Sequence, residues 1–98
     1  MTNFRIKENS WIAKIAAKKL KAKSVAIVIG STIHLCNTSK EDFLSDDAWV
    51  KHEVCHVEQF RKYGFFTFIF LYLVESYNKG YYNNKFEVEA RNAERVSH

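Results

Sequence analysis

The sequence predicts a small α+β domain: about four helices, with one β-hairpin packed beside a central helix. Three observations carry this. Apolar residues recur at helical spacing in several segments, two β-rich runs flank Gly30-Ser31, and a His-Glu-Val-Cys-His run occupies positions 52–56. At 98 residues the chain is long enough for one modest core, and residues 1–98 are expected to form a single domain. Its 47% hydrophobic and 15% aromatic content argue for a packed globule rather than a disordered chain. With no proline and three glycines, it offers no linker, low-complexity tract or internal repeat.

Charge and composition narrow the classes of function. A net charge of +4 permits an acidic partner without demanding one. The first residues, Met1-Thr2-Asn3-Phe4-Arg5-Ile6-Lys7-Glu8, lack the apolar stretch of a secretory signal. Two cysteines, Cys36 and Cys55, are too few for a disulfide framework and point to a reduced compartment. The longest apolar run, residues 65–74 broken only by Thr67, falls short of the roughly 20 residues that cross a bilayer. The expectation is a soluble, cytoplasmic protein with no transmembrane segment.

Taken in order, Ser10 is an N-cap candidate for a first helix in which Trp11, Ile12, Ile15, Ala16 and Leu20 recur at helical spacing. Lys14, Lys18, Lys19, Lys21 and Lys23 fill the rest of this segment. No aromatic residue interleaves with them to stack on bases, so a solvated face is expected there and no nucleic-acid partner. Residues 24–29 and Thr32–Cys36 are β-rich, and Gly30 leads the two-residue connection, as a type II′ turn prefers. In the second strand Ile33 and Leu35 share one face, while Thr32, His34 and Cys36 share the other. A free hairpin edge would offer backbone groups to an extended peptide.

Ser45, followed by Asp46 and Asp47, is expected to open the central helix. On a helical wheel Trp49, His52, Glu53, His56, Phe60 and Tyr63 fall in one arc, opposite Lys51, Glu58 and Lys62. The histidines therefore point inward, where a buried imidazole needs a partner. Gly64 supplies a helix end. Residues 65–80 read as a third helix ending at Gly80, apolar on nearly every side. So small a domain can hardly cover such a helix, so part of residues 65–74 is expected to meet another copy of the chain, a membrane surface being the lesser alternative. Residues 81–84 read as a loop, with Asn84 or Asn83 capping a last helix over residues 85–96.

The chemistry centres on His52-Glu53-Val54-Cys55-His56. On a helix His52 and His56 lie one turn apart on one face, a spacing that lets two imidazoles hold one zinc ion. Glu53, one residue round, is placed to take a proton from a metal-bound water. A catalytic zinc needs a third protein ligand. Glu87 and Glu89 are the candidates, as acids on a helix that can pack across the histidine helix, although Glu87 also stands where a glutamate commonly reaches back to a cap amide. At Cys55 a thiolate ligand is open, but a small half-buried side chain is the simpler reading.

Together with Asn83-Asn84-Lys85-Phe86-Glu87-Val88-Glu89-Ala90-Arg91, this run resembles the gluzincin metallopeptidases, the thermolysin-like class whose third zinc ligand is a helical glutamate. Their downstream pattern is E-x-x-A-D or a close variant. Matching it puts the ligand at Glu87 and the alanine at Ala90, and Arg91 stands where the aspartate would be. In that class the aspartate often hydrogen-bonds a zinc histidine, which arginine cannot do, so Glu89, Glu94 or a backbone carbonyl would have to replace it. The layout also resembles minimal single-domain gluzincins and a family of short bacterial proteins of unknown function. Those have a hairpin (Thr32-Ile33-His34-Leu35 here), then H-E-x-x-H-x-x-Q ending at Gln59, then N-x-F-E-x-E-A from Asn84 to Ala90.

The resemblance implies a zinc peptidase holding the metal with His52, His56 and Glu87. Glu53 would be the general base, and Glu89 an alternative ligand or a support for one. A peptide or protein substrate would lie along the hairpin edge, and Tyr77, Tyr81, Tyr82 and His34 are candidate donors to the oxyanion. Two rival readings stand beside it: a zinc-binding domain without turnover that serves structure or partner recognition, and a basic nucleic-acid binder using the first helix.

Overall fold

The computed structural model describes residues 3–96. Among them are a three-stranded sheet and five helices, which makes the domain α+β. In chain order these are β1 (Arg5–Lys7), α1 (Trp11–Leu20), β2 (Val25–Ile29), β3 (Thr32–Cys36), α2 (Lys40–Ser45), α3 (Asp47–Tyr63), α4 (Phe65–Asn83) and α5 (Lys85–Ala93). The hairpin is present, and Gly30 alone of its turn pair has a positive φ (65°), the type II′ pattern. It is not isolated, however. β1 pairs in parallel with β3, giving the order β1-β3-β2, so β3 is central and β2 is the hairpin strand left with an open edge.

Strand alternation divides the interior in two. Ile33 and Leu35 of β3, with Val28 of β2, join the main core of Phe43, Val57, Phe60, Phe68 and Phe86. Cys36 faces the other way and packs with Ala13 and Ala17 of α1. The alanines let α1 lie close against the sheet, while its lysines stay in solvent.

Two glycines set the helix directions that bring the site together. Gly64, with φ 88° and ψ 158°, is all that separates α3 from α4, and Gly80, with φ 80° and ψ 166°, kinks α4 before a last turn over residues 81–83. Backbone in this region is essentially reserved for glycine. The expected loop at 81–84 is thus mostly a helical turn, and the last helix ends at Ala93 rather than at 96. The cap of α3 also differs by one residue. Asp46 accepts from the Trp49 amide at 3.1 Å, while Ser45 closes the short helix α2, which Ser39 caps. Asp46 wins because a carboxylate at the positive end of the long helix adds charge to the cap hydrogen bond.

Asn84 fixes the start of α5. Its side chain is fully buried, accepts from the Phe86 amide at 2.8 Å, and donates to Tyr72 O at 3.0 Å and Ser76 Oγ at 2.9 Å. One side chain thereby caps α5 and ties it to α4. Replacing Asn84 with Ala removes the cap and the two bonds to α4, which together cost about 2 kcal/mol. In urea unfolding the Asn84→Ala variant is expected to lose that much, with a thermal midpoint roughly 10 °C lower. A loss within error would show that α5 is held by its apolar contacts alone.

Candidate metal centre

α3 presents His52 and His56 on one face, with ring centroids 5.1 Å apart, as the four-residue spacing requires. α5 packs across α3 and places Glu87 between them. Glu87 Oε1 lies 3.2 Å from His52 Nε2 and 3.2 Å from His56 Nε2, and the three ligand atoms all lie within 4.8 Å of one another. Glu87 does sit in the first turn of α5, but it does not reach back to the cap amide, which donates to Tyr81 O instead. Its second oxygen accepts from the Tyr72 hydroxyl at 2.5 Å.

The other ring nitrogens are occupied. His52 Nδ1 is 2.6 Å from Glu94 Oε2, and His56 Nδ1 is 2.8 Å from Gln59 Oε1. Gln59 is oriented by its own partners, since Nε2 donates to Phe86 O at 3.1 Å and to Glu89 Oε1 at 2.6 Å. A carboxylate and an amide oxygen can only accept, so both imidazoles carry their proton on Nδ1. In the neutral rings each Nε2 then turns a lone pair toward a carboxylate oxygen. Three acceptors aimed at one point require a cation or extra protons between them. A tetrahedral zinc with ligands at about 2.0–2.1 Å holds its ligand atoms about 3.3 Å apart, close to the two distances of 3.2 Å seen here. The donor set fits a zinc-type ion.

Without a metal, protons take that place. Burial works against a charged His52, but hydrogen bonds to Glu87 and Glu94 and the charge of Glu53 outweigh it and lift the ring to about 9. His56 is raised in the same way: burial is overcome by Glu87 and Glu53. Burial alone would raise Glu87, yet its bonds to both imidazoles and to Tyr72 hold it well below the usual carboxylate range. Glu53, buried beside the histidines, is pushed up by burial to about 7 despite the pull of His56 and His52.

The centre opens into a cleft of about 300 Å³ running along the edge strand β2. Val25, Ile27 and Ile29 of β2, Leu20 of α1 and Leu73 of α4 form its apolar walls, with His52, Glu53, His56 and Glu87 at one side. Of the four candidate oxyanion donors, Tyr81 alone lines this cleft. Burial and the negative charge of Glu87 raise its hydroxyl to about 12. Tyr77 is 91% exposed, and Tyr82 lies under the Arg91 guanidinium at 4.0 Å. His34 hydrogen-bonds Ser10 on the α1 side of the sheet, away from the centre. Glu89 supports His56 through Gln59 and stands outside the ligand cluster. Cys55 is buried and its thiol, raised to about 12 by burial and nearby glutamates, accepts weakly from Gln59.

Two participants escaped the sequence reading. Tyr72 sits inside a run of phenylalanines and leucines and reads as core, its only signal being a hydroxyl that needs a partner when buried. Gln59 matches the layout of the resemblance, but nothing in its spacing discloses which ring it holds. Arg91 has other work, donating to Tyr82 O and stacking on the Tyr82 ring.

No family model, no curated protein and no solved structure matches the chain.

The proton balance makes a measurable demand on the metal-free protein. For Glu53, raised from 4.5 to about 7, the stabilisation is complete below pH 4.5 and is lost as pH rises through 7. For His52, raised from 6.5 to about 9, it is complete below 6.5 and lost as pH rises through 9. Glu87 contributes above its usual 4.5 and loses that contribution in acid. His34, lowered by burial and Lys7, opposes the trend through a single group. With chelator present, the thermal midpoint is expected to peak near about pH 5 and fall toward pH 9. Added zinc should abolish the alkaline decline, because deprotonated imidazoles are the metal-binding form. A midpoint that rises from pH 6 to 9 in chelator would contradict the assignment.

Proposed function

We propose that the protein is a zinc-dependent peptidase of gluzincin type. The convergence of His52 Nε2, His56 Nε2 and Glu87 Oε1 beside a buried Glu53 is the observation that supports it most directly. Zinc held there would supply a Lewis acid that brings a water's pKa toward 7 and polarises a carbonyl.

The chain's own residues supply the rest. Glu53, buried beside the two histidines, would accept the proton of the attacking water and pass it to the leaving amine. Tyr81, in the cleft wall, is the donor placed to meet the oxyanion as the carbonyl becomes tetrahedral. The open edge of β2 offers main-chain groups to an extended peptide, whose apolar side chains would enter the cleft between Leu20 and Leu73. Glu94 and Gln59 hold the two rings with each Nε2 facing Glu87 Oε1, and a zinc ion would be held between these atoms.

Metal analysis separates the steps. The purified protein is expected to carry one zinc per chain, and His56→Ala to carry none. Zinc-loaded wild type should hydrolyse an unfolded protein such as casein and stop when a chelator is added. Glu53→Gln should keep its zinc and lose hydrolysis by three or more orders of magnitude. Stoichiometric zinc with no hydrolysis in the wild type would instead support the metal as a structural element. No zinc at all would remove both readings.

The supports are tested separately. Glu94→Gln should weaken zinc affinity by about 10- to 100-fold while leaving the fold intact by circular dichroism. An unchanged affinity would show that the Glu94 contact does not orient His52.

A further inference from the structure

Phe66, Phe70, Leu73 and Tyr77 follow one another along α4 at intervals of four, three and four residues, the seam spacing of paired helices. They are 82%, 65%, 61% and 91% exposed, on the side of α4 opposite the buried Phe68. Over residues 65–78 the only charged side chain is Glu75, which is tied to Lys79 at 3.4 Å and to the Lys85 amide at 3.0 Å. The lysine-rich stretch lies on and just after α1, so the net positive charge of the chain is not concentrated on this face.

We infer that this face pairs with the same face of a second copy, α4 against α4, antiparallel about a two-fold axis. An isologous contact requires that if residue i meets j, then j meets i. The 4-3-4 spacing satisfies this about a point between Leu71 and Tyr72: Phe66 meets the partner's Tyr77, and Phe70 meets the partner's Leu73. No charge is desolvated in the seam. Taking roughly 150–250 Å² for an aromatic side chain, these exposures leave on the order of 500 Å² per copy to be covered. Two copies then bury about 1,000 Å², the lower bound for a specific interface. Leu73 also lines the cleft, so pairing brings the partner's Phe70 to the rim of the metal centre. The pairing itself does not depend on the proposed catalytic activity.

Sedimentation velocity across the micromolar range, with disulfide trapping, tests both the pairing and its direction. The wild type should pass from monomer to dimer with concentration, and Phe70→Glu should stay monomeric with unchanged circular dichroism. Phe66 and Tyr77 lie 11 positions apart, about 16 Å along the helix. In the antiparallel seam the double variant Phe66→Cys/Tyr77→Cys should therefore form a covalent dimer under diamide, and Phe66→Cys alone should not. The native Cys36 and Cys55 are both buried, which keeps the background low. Efficient trapping of the single variant would overturn the antiparallel register. A monomer at every concentration would overturn the pairing, and if that monomer floated with phospholipid vesicles, the face would belong to a lipid surface.

Discussion

Three acceptors pointing at one another are the constraint around which this small domain is arranged. Two imidazole lone pairs and the Glu87 carboxylate would repel if left alone; the rings are held by acceptors, Glu94 and Gln59, and the Tyr72 hydroxyl donates to the other Glu87 oxygen. Such an arrangement persists only if something positive sits within it: a metal, or protons bound well above their ordinary pKa. The cluster opens on the cleft and is buried at His56, Glu53 and Glu87. Behind it stand Phe60, Phe68 and Phe86, whose rings meet edge to face at 4.6–5.0 Å and resist lateral movement of α3, α4 and α5.

The helix α5 and its C-cap residue, Glu94, carry most of the electrostatic organisation. Glu87 reaches the gap, and Glu94, seven positions on and so on the same face, reaches the back of His52. Glu89, on a different face, holds the amide that holds His56. The departure at Arg91 from the gluzincin pattern therefore leaves neither imidazole without an acceptor. His52 takes its acceptor from Glu94, three residues beyond Arg91, and Arg91 pins the turn that follows the Gly80 kink.

Much of this arrangement could be read from the chain alone, for reasons that are local. The histidine helix shows in its periodicity, the β3 alternation in its pattern of Ile33 and Leu35 against His34 and Cys36, and the start of α5 in the capping preference of Asn84. Glu87 emerged from the resemblance, since spacing left Glu89 equally open. What stayed hidden depended on distant partners. β1 is three residues long with charges at both ends, and only its parallel pairing to β3 makes it a strand. Helix α2 is six residues, too short for periodicity to show. His34 stands as a candidate oxyanion donor until the sheet is built and turns its ring toward Ser10 on the α1 side. The sequence places residues on faces, but which faces meet is decided by Gly64 and Gly80.

The edge strand ties the fold to its proposed use. A strand reading Val-Ala-Ile-Val-Ile, without a charge or a proline, is an invitation to aggregate when its edge is open. Proteins usually blunt such an edge with lysine, proline or a bulge. Here β2 lines a cleft whose other walls come from α1, α3 and α4, so the edge strand does not stand alone on an open surface. Under the proposed function the same recess would admit one extended peptide, held by backbone groups of β2 alongside His52, Glu53 and His56, so that the wall lining the edge and the peptide site would be one feature of the fold.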